Sequence, residues 1–96
     1  MSEKLSVIWS LEAKKTFTYI VSFIIEKWSQ KEALNFENKV SNLVQNLSSN
    51  KFLCPQSKID NARRCTISKQ SSLIYEIVEN NIYILVLVDN RTNHKY

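Results

Sequence analysis

The sequence predicts an α+β fold of order β-α-α-β-β-β, an antiparallel sheet packed against a helical hairpin. Three observations carry that expectation. Two long stretches with helical apolar spacing follow each other with only one or two residues between them. Three stretches of alternating apolar residues fill the second half of the chain. The only proline, Pro55, stands in the segment that separates the two halves. Ninety-six residues, 44% of them hydrophobic, suit one domain spanning 1–96 with one modest core.

The first strand is read in "KLSVIW", where Val7 and Trp9 alternate with Ser6 and Ile8. Ser10 is placed to cap a helix, and Glu12 in its first turn suits the helix dipole. Ala13, Phe17, Ile20, Val21, Ile24 and Trp28 then recur at helical spacing. Phe23 and Ile25 add apolar area beyond that stripe. Ser29 and Glu32 have capping-box spacing and open a second helix. Its apolar stripe is Ala33, Phe36, Val40, Leu43, Val44 and Leu47. So short a connection predicts an antiparallel helical hairpin.

"SSNKFLCPQSKIDNA" breaks both periods and reads as a loop, with Pro55 biasing Cys54 towards extended backbone. In "RRCTISK", Cys65 and Ile67 share one face and Arg64, Thr66 and Ser68 the other. "LIYEIVE" alternates again, with Leu73, Tyr75 and Ile77 opposite Ile74, Glu76 and Val78. Asn80 and Asn81 are the expected left-handed residues of a tight hairpin, since glycine is absent. "IYILVLV" is apolar on both faces, as a central strand would be.

Composition excludes several classes of function. A chain with no glycine has no glycine-rich phosphate loop or dinucleotide fingerprint, because both need close backbone approach. Cys54 and Cys65 have neither a disulfide-framework pattern nor a metal-binding spacing. With His94 they would give three scattered zinc ligands, one short of the usual set. Reduced thiols are therefore expected, with no metal or other cofactor. No apolar run nears the roughly 20 residues of a membrane span, and "MSEKLSVIWS" lacks the sustained apolar core of a signal peptide. A cytoplasmic location with no membrane partner is the expectation. The net charge is +4, and the excess lies in residues 51–69, where Lys51, Lys58, Arg63, Arg64 and Lys69 face only Asp60. Such a patch suits an acidic protein or a nucleic-acid backbone, or is simply solvated.

In this order and spacing, the chain resembles the RelE/ParE toxins of bacterial type II toxin–antitoxin systems. "VIWSLEAKKTFTYIVSFIIEKWS" is similar to the family's opening strand and first helix, and "EALNFENKVSNLVQNL" to its second helix. Pro55 in the connection, Arg64 leading the second strand and "LIYEIVENNIYILVLVDNR" complete the likeness. It implies a growth-inhibiting toxin silenced by a cognate antitoxin in a hetero-oligomer. One branch of the family cuts mRNA on the ribosome. The other poisons DNA gyrase by binding it.

A metal-independent RNase needs a base, a cation for the phosphate and an acid for the leaving oxygen. Arg64 and Arg91 are the candidate cations, Lys69 or Glu76 the bases, and His94 and Tyr96 the acids. The nuclease branch usually carries an arginine where this chain has Ser71 or Ser72. That departure favours the ParE-like branch, a gyrase inhibitor rather than an enzyme, with the ribosome-dependent endoribonuclease as the alternative. For partner binding, Phe23 and Trp28 offer apolar area, and Arg63, Arg64, Lys69 and Arg91 offer charge. The antitoxin is expected on the sides of the hairpin or as a strand added to the edge of "RRCTISK".

Overall fold

The computed structural model of the chain describes residues 4–59 and 61–90. The elements are β1 (Ser6–Trp9), α1 (Leu11–Lys27), α2 (Gln30–Ser49), β2 (Ala62–Thr66), β3 (Ser71–Val78) and β4 (Asn81–Asp89). This is the α+β order expected. The sheet runs β1-β4-β3-β2. β2, β3 and β4 are antiparallel, whereas β1 lies parallel to β4, so the sheet is mixed. The helical hairpin supplies the reason. It returns the chain to the starting end of β1, where the Leu5 N–H donates to the Ser48 carbonyl at 2.8 Å. The two strand reversals that follow, β2 to β3 and β3 to β4, leave β4 running as β1 does.

Both helix starts are set by serine caps. Ser10 Oγ accepts the Ala13 N–H at 2.9 Å and Ser29 Oγ accepts the Glu32 N–H at 3.1 Å. Ser10 also ties the helix to the sheet, because its hydroxyl donates to the Leu85 carbonyl at 2.8 Å. The main core lies between hairpin and sheet, built from Phe36, Val40, Leu47, Leu73, Tyr75, Ile82, Ile84 and Leu87. Phe17 bridges it, edge-on to Trp9 at 5.5 Å and stacked on Phe36 at 6.1 Å. Ala62, Ile74, Val86 and Val88 form a second cluster on the opposite face, with Ile59 and Leu85 against it.

A bulge explains how one apolar run serves both faces. Tyr75 pairs with Ile84, but Ile74 pairs with Val86, leaving Leu85 as the extra residue in β4. Ile82 and Ile84 face the hairpin before the bulge, and Leu87 does so after it, a spacing that strict alternation would not give.

Two expectations are corrected here. The β3–β4 turn is one residue earlier than expected. Val78 pairs with Asn81, and the left-handed residues are Glu79 (φ 51) and Asn80 (φ 68), while Asn81 belongs to β4. The register that buries Ile82 and Ile84 on the hairpin side forces this, even though it puts a glutamate in the left-handed region. Secondly, Cys54 and Cys65 are not free thiols but a disulfide, their Cα atoms 5.3 Å apart. The loop after α2 folds back along β2, which brings two cysteines eleven residues apart side by side.

That loop also closes the outer edge of β2. Arg64 N–H donates to the Pro55 carbonyl at 3.0 Å and Ser57 N–H to the Ala62 carbonyl at 2.9 Å, around an antiparallel bridge between Gln56 and Arg63. The strand edge expected to receive an antitoxin strand is thus covered by the chain itself.

Candidate functional site: a groove beside β4 and a polar corner at its end

β4 is longer than its neighbour β1, whose last paired residue, Trp9, lies opposite Ile84. Beyond that point α1 takes over the edge. Thr16 Oγ1 accepts the Leu87 N–H at 3.0 Å, satisfying a ladder group that has no strand beside it. Between this part of β4, the outer side of α1 and the β2–β3 turn runs a groove of about 420 Å³. Tyr19, Phe23 and Trp28 line its helical wall, Val86 to Asp89 its strand wall, and Ser68 and Gln70 the turn. A smaller recess of about 270 Å³ continues from Trp28 to Lys39 of α2.

The aromatic wall is open to solvent. Tyr19 is 71% exposed, Trp28 65% and Phe23 39%. The apolar surplus of α1 is therefore not consumed by the core. Phe23 and Trp28 were expected as binding residues, and they share this groove. Tyr19 and Thr16 were not expected. Tyr19 has an i,i+4 spacing to Phe23 that could reveal it, but Thr16 acts on a strand residue 71 positions away and gives no local signal.

The second feature is a polar corner where β4 ends. Asn90 Oδ1 accepts from Arg64 Nη2 at 2.6 Å and from Ser72 Oγ at 2.6 Å. Asn90 Nδ2 donates to the carbonyls of Ser68 (3.3 Å) and Lys69 (3.2 Å), and its backbone N–H to that of Gln70 (2.8 Å). An amide side chain has two lone pairs and two N–H groups to offer, and all four are used. Arg64 is thus fixed by one nitrogen at the end of the sheet, and its remaining donors can meet an anion. Ser72 is fully buried and Ser71 nearly so.

The charged candidates do not form one cluster. Arg63 and Arg64 follow each other in β2, and the pleat sends them to opposite faces. Arg63 Nη1 donates to the Cys54 carbonyl at 2.5 Å, with its guanidinium 5.0 Å from the Phe52 ring centroid. Lys51 Nζ lies 5.4 Å from the same ring. Lys69 is exposed in the β2–β3 turn, not on the strand edge as expected, and contributes its carbonyl to Asn90. Glu76, the alternative base, pairs in register with Ala62 and Tyr83, two positions along β3 from Ile74, the residue opposite Arg64. Arg91, His94 and Tyr96 lie outside the described residues. Among the described residues no group of three His, Cys, Asp or Glu could hold a metal ion. Cys54 and Cys65, spent in a disulfide, are lost as zinc ligands.

Tyr75 crosses the core to close this side of the molecule. Its hydroxyl donates to the Lys51 carbonyl at 2.7 Å. Burial pushes that hydroxyl above its ordinary pKa, while a backbone contact from Cys54 and the charge of Arg63 pull the other way.

Residues 7–94 match the family model for the ParE toxin of type II toxin–antitoxin system, parDE, and the chain belongs to that family. Solved structures agree on the fold. A chain of the chromosomal ParDE toxin–antitoxin system from P. aeruginosa superposes with a TM-score of 0.77 at 19% identity, covering 92% of this chain and 98% of that one. The YoeB dimer from Staphylococcus aureus gives 0.62 at 17% identity, over 88% and 95% of the two chains. A chain of the E. coli DinJ–YafQ toxin–antitoxin complex gives 0.61 at 14% identity, over 92% and 94%. A comparison with curated protein sequences finds no match. Among the described residues, no helix is long and apolar enough to cross a membrane. The chain is a toxin of the ParE family of type II toxin–antitoxin systems.

Proposed function

We propose that this toxin acts as a ParE-like inhibitor of DNA gyrase in the cytoplasm, and that its cognate antitoxin silences it by occupying the groove beside β4. One observation carries the choice of target. Where the nuclease branch of the family would place a phosphate-binding arginine, this chain has Ser71 and Ser72, both buried, and the Ser72 hydroxyl is bonded to Asn90. A cation that stabilises the pentacoordinate phosphate must reach substrate, and loss of one such preorganised contact costs about 10²–10³ in rate. A buried serine has neither the charge nor the reach.

Inhibition by binding asks instead for accessible area. Tyr19, Phe23 and Trp28 supply it, since aromatic side chains bury much surface with few rotatable bonds. For the antitoxin, covering of the β2 edge argues against strand addition there and favours a segment laid into the groove. A segment that orders as it binds suits a groove with one helical wall and one strand wall.

The test uses the purified chain in two assays. One follows gyrase supercoiling and trapped cleavage complexes; the other follows cuts in ribosome-bound mRNA. Loss of supercoiling with intact mRNA is the expected result. Positioned mRNA cuts beside fully active gyrase would replace this reading with the endoribonuclease, and Arg64, Arg91, His94 and Tyr96 would then be the residues to substitute.

A further inference from the structure

We infer that the Cys54–Cys65 disulfide is a thiol-responsive latch, which decides whether the outer edge of β2 is covered by residues 55–57 or open. The covering segment is weakly attached by everything except the disulfide. Two ladder hydrogen bonds join it to β2, from Arg64 N–H to the Pro55 carbonyl and from Ser57 N–H to the Ala62 carbonyl. Pro55 has no N–H with which to add another. The residues leading into it, Phe52 and Leu53, are 61% and 43% exposed and anchor little. Arg63 grips the Cys54 carbonyl from β2, but its aromatic contact is to that same exposed Phe52. Cross-linking Cys54 to Cys65 makes closure of this short segment permanent, and cutting the link returns the full loop entropy to the open state.

The chemistry of opening is a two-electron exchange with a dithiol reductant. A thiolate of the reductant attacks Cys54 Sγ, the less buried of the two half-cystines, and the S–S bond breaks with Cys65 leaving as thiolate. The reductant's second thiol then attacks its own sulfur in the mixed disulfide and releases Cys54. The reductant ends as a disulfide, and the two cysteines take up two protons. Arg63 shares a face of β2 with Cys65 and bonds to the Cys54 carbonyl, so its charge lies beside the disulfide. Positive charge at a departing thiolate speeds its release. The opened edge would offer the Arg64 N–H and the Ala62 carbonyl, groups of the kind that strand edges are normally built to hide. This inference is independent of the toxin's target.

The test compares the oxidised chain with the same chain after dithiothreitol or a thioredoxin-class protein, by thiol alkylation and amide hydrogen exchange. Alkylation of both cysteines without denaturant is expected. Exchange at the Arg64 and Ser57 amides should then accelerate on the order of a hundredfold, the factor that a short cross-link corresponds to, while amides of β3 and β4 such as Leu73 and Ile82 stay protected. A disulfide that resists reduction until the chain is denatured would overturn the latch. So would unchanged protection at those two amides after reduction, or loss of protection across the whole sheet. The Cys54→Ser/Cys65→Ser chain should exchange like the reduced protein. If it matches the oxidised one, the latch is refuted; if it fails to fold, the reduced native chain still decides.

Discussion

At the scale of single residues, Asn90 and Tyr75 are the side chains with the most to lose. Asn90 binds Arg64, Ser72 and two turn carbonyls at once. Asn90→Ala would strand the buried Ser72 hydroxyl and release Arg64, which predicts a loss of about 2–3 kcal/mol in denaturant unfolding. Asn90→Asp keeps the acceptor but not the two donors, so its loss should fall between wild type and Ala. Tyr75→Phe removes only the bond to the Lys51 carbonyl, for a cost of about 1 kcal/mol at neutral pH. The pH dependence has a definite sign. The Tyr75 pKa is raised in the folded chain, so the folded state holds its proton more tightly than the unfolded one. Stability from this group is fully present below the unfolded value near 10 and drains as pH rises through the folded value. Chemical denaturation of wild type between pH 9 and 11 should show that decline. Tyr75→Phe should show less of it, and equal declines would mean that burial of this hydroxyl is not its source.

At the scale of elements, the helices were legible and the turns were not. The caps Ser10 and Ser29 and the apolar stripes are local signals, and α1 and α2 begin where those signals place them. The β3–β4 turn was misplaced by one residue because local chemistry favoured two asparagines, whereas burial of Ile82 and Ile84 fixed the register instead. The bulge at Leu85 is hidden in the sequence for a related reason. A run that is apolar at every position hides a change of phase. Glu79 records the conflict, sitting at φ 51 without the compensations of glycine or asparagine. Glu79→Asn should therefore stabilise the hairpin by about 0.5–1 kcal/mol, seen as a rise of a few degrees in Tm. A fall in Tm would mean that the Glu79 side chain does something for the fold that its backbone angle conceals.

At the scale of the whole molecule, the site is assembled from pieces that sequence shows singly but not together. Arg63 and Arg64 look like one basic pair on paper, yet they serve opposite faces of the sheet. The disulfide needs a fold-back that no cysteine spacing announces. Phe23 and Trp28 were visible as surplus apolar area, but their groove exists only because β4 outruns β1 and leaves an edge for α1 to flank. This architecture yields the last prediction. A groove residue that is exposed in the free toxin contributes to binding without holding the fold, so stability and affinity should separate. Trp28→Ala and Tyr19→Ala should each change unfolding free energy by under about 1 kcal/mol, since neither side chain is in the core. Binding of the cognate antitoxin should weaken by about 2 kcal/mol or more for at least one of them, roughly thirtyfold in Kd by calorimetry. Leu34→Ala on the outer side of α2, also exposed but not in the groove, serves as the control and should bind as wild type does. If Leu34→Ala weakens binding as much as the groove variants, the antitoxin wraps the hairpin broadly, and the groove is not its principal seat.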